Sequence, residues 1–139
     1  MPRVSPSFLV NIDVEDLDSA IRFYEDALGL TLHRRLFSAT VAEMRGGPTP
    51  LYLLQKAQSS SPSARTAEVR DYRRHWTPVH LDFVVADIDA AVARAVRSGA
   101  TTEGGIQLFA WGGMAVMSDP FGHGFCLLQL SERAYEAAV

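Results

Sequence analysis

The feature that most constrains this chain is that it repeats itself. Asp16-Leu17-Asp18-Ser19-Ala20-Ile21 lies over Asp87-Ile88-Asp89-Ala90-Ala91-Val92 at an offset of 71 residues, and Pro50-Leu51-Tyr52-Leu53-Leu54-Gln55 lies over Gly124-Phe125-Cys126-Leu127-Leu128-Gln129 at an offset of 74. The matched pieces keep their order and the offset drifts by only three residues, as an internal duplication requires. Each copy is too small to close a core comfortably alone, so the two must pack against each other or against a second subunit.

Hydrophobic periodicity shows what each copy builds. Phe8 to Val14 alternates with period two, which predicts a half-buried strand with Phe8, Val10, Ile12 and Val14 on one face. Asp16 or Asp18 then caps a helix whose apolar positions, Leu17, Ala20, Ile21, Tyr24 and Leu28, recur every three or four residues until Gly29 stops it. The carboxylates between Asp13 and Asp18 suit the positive end of that helix, and Asp13 alone is free to point elsewhere. Three strands follow, around Leu30–Arg35, Thr40–Arg45 and Leu51–Gln55, with Gly46-Gly47-Pro48 as a turn.

After Gln55 the polar run Lys56 to Ser63 buries too little apolar surface to order itself, and reads as a linker or mobile loop. An Arg-rich stretch from Glu68 to Trp76, one or two helical turns at most, leads to Pro78. The pattern then restarts: a strand over Val79–Val85, a cap at Asp87 or Asp89, and a helical stripe of Ile88, Ala91, Val92, Ala95 and Val96 ended by Gly99. The expected organisation is a first module over 1–56, a connector over 57–77, a second module over 78–131 and a tail over 132–139.

Composition narrows the function. In 139 residues, 47% are hydrophobic and 21% charged, as in an ordinary globular protein, and the net charge of −3 provides no positive field to hold nucleic acid. Met1 to Pro6 is followed by no apolar leader core, and no apolar run approaches a membrane span of roughly 18 residues. The lone Cys126 forms no intrachain disulfide, so a reducing cytoplasm is the expected location and a membrane is not an expected partner. The sequence also lacks a phosphate loop with its lysine, a His-Glu-x-x-His and a nucleophile elbow.

A tandem strand, helix and three-strand repeat, with Phe23-Tyr24-Glu25-Asp26-Ala27-Leu28-Gly29-Leu30 closing the first helix and Asp119-Pro120-Phe121-Gly122-His123 before the last strand, resembles the vicinal oxygen chelate superfamily. That is the group of glyoxalase I, bleomycin-resistance proteins and extradiol dioxygenases. The resemblance implies an α+β fold of two βαβββ modules whose curved mixed sheets enclose a cleft, usually in a homodimer, and leaves the reaction open.

Metal-dependent relatives place His, Gln or Glu at four cleft positions. By the resemblance these fall on Leu9, Tyr52, His80 and Cys126, of which only His80 is of the family's ligand type. Leucine cannot coordinate a cation, and His80 with Cys126 gives two ligands where a catalytic zinc site needs three. The expectation is therefore no cofactor, with a divalent metal disfavoured.

Strand alternation extends the cleft. If Leu9 and His80 face inward, so do Asn11, Asp13, Asp82 and Val84, while Phe8, Val10, Leu81 and Phe83 pack under the helices. Polar groups buried at Asn11, Asp13, Tyr52, His80 and Asp82 form either a hydrogen-bonded structural network or the lining of a wet pocket. Asn11, Asp13, Tyr52, Trp111 and Cys126 are the candidate ligand-binding residues. Trp111 either stacks on a planar ligand or fills a core or dimer gap. His80 with Asp82 or Asp13 is a candidate acid–base couple, although the two side chains of the first pair start about 7 Å apart along one strand. His123 lies in a turn, and His33 and His75 read as surface residues. Two functions follow from this: a metal-free protein binding a small organic molecule between the modules, or a lyase, isomerase or dioxygenase-like enzyme using His80 with Asp82 or Asp13.

Overall fold

A computed structural model describes residues 5–139, so Met1 to Val4, on which the leader reading partly rests, lie outside the described residues. The first module runs β1 (Val10–Val14), α1 (Leu17–Leu28), β2 (Thr31–Leu36), β3 (Val41–Arg45) and β4 (Leu51–Gln55). The second runs β5 (Leu81–Val84), α2 (Ile88–Arg97), β6 (Thr101–Thr102), β7 (Gln107–Phe109), β8 (Gly112–Ser118) and β9 (Gly124–Leu130), with a closing 3₁₀ turn over Ala134–Ala138. Strand order is β1-β4-β3-β2 in the first sheet and β5-β9-β8-β6 in the second, where β7 also pairs with β8. The outer pair in each sheet, β1 with β4 and β5 with β9, is parallel because a helix makes the crossover.

The repeat explains the core. Ala42 and Met44 on β3 and Ala115 and Met117 on β8 are all buried, as are Leu53 on β4 and Leu127 on β9. Each sheet thus offers the same small and large side chains to its helix, and α1 packs against α2, so that one continuous apolar cluster spans both modules. Each helix start is held twice. Asp16 Oδ1 accepts from the Ser19 amide and Asp87 Oδ1 from the Ala90 amide, while Gln55 Oε1 accepts from Leu17 N at 3.1 Å and Gln129 Oε1 from Ile88 N at 2.8 Å. The repeated Leu-Leu-Gln therefore ends in a glutamine that satisfies a helix-start amide lacking an intrahelical partner.

Several sequence expectations are corrected. The first strand of each module is shorter than its alternation suggests: Phe8 and Leu9 precede β1 and are 76% and 52% exposed, so Phe8 does not pack under α1. His80 likewise stands just before β5. The stretch from Glu68 to Trp76 contains no helix, and the polar run is fastened to it. Ser59 N donates to Arg70 O, Arg70 N to Ser60 O, and Arg70 Nε to Asp13 Oδ2 at 2.7 Å. Backbone pairing and ion pairs supply the order that apolar burial could not.

Candidate functional site

In register across the first sheet, Asn11 on β1 partners Tyr52 on β4, which partners Glu43 on β3, which partners Arg34 on β2. Residues paired in this way share a face, so a polar row crosses the sheet. Glu43 is buried, and Arg34 Nε and Arg45 Nε donate to its two carboxylate oxygens at 2.9 and 2.8 Å. Those two guanidinium groups hold its pKa below the usual glutamate value. Sequence reasoning missed Glu43, because a Glu between two apolar residues in a strand reads as solvent-facing until the sheet shows what lies over it.

The equivalent row of the second sheet is Asp82 on β5, Cys126 on β9 and Val116 on β8. His80, two residues before Asp82, turns its Nε2 to 3.3 Å from Asp82 Oδ1, so side-chain reach closes the separation along the strand. The ligand atoms of His80, Asp82 and Cys126 all lie within 4.8 Å of one another. Burial, and then the negative charge of the nearby Asp82 carboxylate, push the Cys126 pKa up to about 11.

Between the edges of β1 and β5 lies a cavity of about 420 Å³. Val10, Ile12, Leu81, Phe83 and Phe125 supply its apolar walls, and Asn11, Asp13, His75, His80 and His123 its polar groups. Neither Tyr52 nor Cys126 lines it. Cys126 instead borders a smaller cavity of about 160 Å³, with Arg74, Trp76, Thr77, His80 and Val116. The Asp13 side chain pairs with Arg70, and its carbonyl oxygen lies 2.6 Å from His123 Nε2.

His75 departs from the sequence reading, which left it solvated, whereas His123 stands in the turn before β9 as expected and meets it there. His75 Nε2 and His123 Nδ1 are 2.8 Å apart, and the other His75 nitrogen faces Arg73 O at 2.8 Å. A carbonyl can only accept, so each outer nitrogen carries a proton, and the inner contact is a hydrogen bond only when one ring is doubly protonated. His33 is exposed on β2, as expected. Trp111 stacks on Phe109 with ring centroids 5.0 Å apart and leans on Tyr135 at 5.5 Å, lining neither cavity.

Residues 9–128 match the glyoxalase-like domain family. The chain belongs to that family. The match and the paired βαβββ modules place this glyoxalase-like domain in the vicinal oxygen chelate superfamily. Its fold is similar to that of a glyoxalase-related enzyme from Fulvimarina pelagi, with a TM-score of 0.69 and 15% identity over 91% of this chain and 88% of that one. It is also similar to a glyoxalase/bleomycin resistance protein/dioxygenase family enzyme from Burkholderia phytofirmans, with a TM-score of 0.68 and 20% identity over 88% and 97% of the two chains. An uncharacterized protein of Mycobacterium tuberculosis is 28% identical over 140 residues, covering 91% of this chain and 76% of that one.

The family's four-position metal centre does not fit this glyoxalase-like domain. Leu9 has no donor atom and is half exposed, Tyr52 sits on the first sheet beside Asn11 and Glu43, and neither cavity brings Tyr52 together with Cys126.

Proposed function

We propose that this protein binds a small organic molecule in the groove between β1 and β5, without the family's four-position metal centre. The observation that carries the reading is the cavity of about 420 Å³, a volume usual for small-molecule sites, with apolar walls and a few converging polar groups. Asn11 can donate and accept, and the apolar walls suit a ligand with a flat or aliphatic body. The exposed apolar residues Phe8, Trp76, Val79 and Val84 support a homodimer as the working form. The lone Cys126, without a disulfide partner, supports a cytoplasmic setting.

A thermal-shift panel of aromatic natural products, cationic natural products and α-keto hemithioacetals tests this, because a ligand of the folded state raises its apparent stability. At least one class should raise the unfolding midpoint of the wild-type protein, increasingly with concentration, and should fail to do so for Thr77→Trp, whose indole fills the groove. No response from any class, or an equal response in Thr77→Trp, overturns the reading.

The 3.3 Å contact between His80 and Asp82 favours a second reading, an enzyme of the lyase, isomerase or dioxygenase-like kind. In it, Asp82 orients the imidazole through Nε2 and His80 moves a proton at Nδ1. Turnover of an α-keto hemithioacetal by chelator-treated protein, lost in His80→Gln and in Asp82→Asn, would favour this reading over simple binding.

A further inference from the structure

We propose that His80, Asp82 and Cys126 form a binding site for a thiophilic divalent cation of the zinc type, contained wholly within the second module. Pairing of β5 with β9 sets Asp82 directly beside Cys126, and His80, just before β5, turns its Nε2 to within 3.3 Å of the Asp82 carboxylate. One nitrogen, one oxygen and one sulfur donor then lie within 4.8 Å of one another. Zinc bond lengths of about 2.0–2.3 Å in a tetrahedral arrangement put donors about 3.3–3.6 Å apart. The His80 to Asp82 separation of 3.3 Å already has that value, so side-chain rotation at Cys126 completes the set.

The donor types decide the class of ion. Thiolate and imidazole favour zinc and its soft neighbours, whereas magnesium and calcium need oxygen donors that this trio lacks. Three protein ligands leave a fourth position, and both His80 and Cys126 border the cavity of about 160 Å³ into which it opens. On binding, the Cys126 thiol gives its proton to solvent and the sulfur takes the cation. The ligand set differs from the family arrangement in using Asp82 and in needing nothing from the first module. It shares His80 with the β1–β5 groove, but organic-ligand binding to the wild-type protein in chelator is measured with no cation present, so the two readings succeed or fail separately.

Cobalt(II) titration of the chelator-treated full-length protein tests the site, because a cysteine thiolate on cobalt gives a near-ultraviolet charge-transfer band. One equivalent should produce the band and one equivalent of zinc should remove it. Cys126→Ser should abolish it, and His80→Ala and Asp82→Asn should each weaken affinity at least tenfold with the circular dichroism spectrum unchanged. Tyr52→Phe should leave the affinity as it is. As a second readout, zinc should protect Cys126 from maleimide in the wild-type protein. Absence of the band, its persistence in Cys126→Ser, or an equal loss of affinity in Tyr52→Phe overturns a site confined to the second module.

Discussion

At the scale of single residues, Glu43 shows how a charge becomes structural. Its carboxylate is buried among Arg34 and Arg45, and the two guanidinium groups lower its pKa. A depressed pKa in the folded state means that the stabilisation is present above about pH 4.5, where the unfolded chain's glutamate is ionised, and is lost as pH falls through the folded value. Glu43→Gln should therefore lower the thermal midpoint by several degrees at neutral pH, and the gap from wild type should narrow as the pH is taken down from 5 to 3. A constant gap across that range would show that Glu43 acts through packing alone. His80, Asp82 and Cys126 make the converse point. Each was legible as a candidate from strand alternation and the repeat, but their meeting depends on the pairing of β5 with β9, which sets Asp82 beside Cys126, 44 residues on in the chain (126 − 82).

Among the secondary-structure elements, the duplication is most visible at the helix starts. The caps were legible to within two residues, as Asp16 or Asp18 and Asp87 or Asp89, because an acidic residue before an apolar helical stripe is a local signal, and the structure uses Asp16 and Asp87. The glutamines were not legible, since Gln55 and Gln129 come from the far end of each module and reach Leu17 and Ile88 only once the parallel pairs form. Gln129→Ala should cost about 1 kcal/mol, because it removes one hydrogen bond from the α2 start, and Asp87→Ala should cost about the same. Urea denaturation measures both. Their double variant should cost more than the sum, because either cap partly protects the helix start when the other is lost, and additivity would show that the two act independently. The strands of the paired βαβββ pattern were legible in order, but the first strand of each module was read too long at its N-terminal end and the extra strand β7 was not read at all. Periodicity reports which residues alternate, while a strand begins only where a partner supplies hydrogen bonds: Val10 N takes Pro50 O, and Leu9 has no β4 residue opposite it.

Across the whole molecule, a small number of long-range polar contacts tie one module to the other. Tyr24 on α1 donates to Asp119 Oδ2 at 2.7 Å, and the same carboxylate's Oδ1 accepts from the Phe121 and His123 amides in the turn before β9. Burial, with the Asp119 carboxylate alongside, pushes the Tyr24 pKa well above the ordinary tyrosine value, so the hydroxyl stays a donor. Tyr24→Phe leaves a buried carboxylate oxygen short of a partner and should cost about 1–3 kcal/mol of unfolding free energy. A loss below about 0.5 kcal/mol would show that this contact adds nothing beyond the apolar packing of the ring. From the other side, His123 reaches Asp13, while the connector crosses the junction with His75 on His123 and Arg70 on Asp13. Gly122 is required there: its φ of +81° suits glycine, and a Cβ would stand 2.2 Å from Arg73 O.

The sequence by itself determined the duplication, the order of the main strands and helices, where the helices start and the departure of Leu9, Tyr52 and Cys126 from the ligand types that the family resemblance implies. All of these are carried by neighbours in the chain or by the match of one half to the other. Only the tertiary structure decided which polar residues meet. It left Tyr52 off the cavity that Cys126 borders, moved Trp111 into an aromatic stack with Phe109 and Tyr135, drew His75 and His123 into the groove and brought Cys126 to the His80–Asp82 pair. The reason is physical: alternation assigns a side chain to a face, but sheet register and the closing of one module on the other determine what it faces.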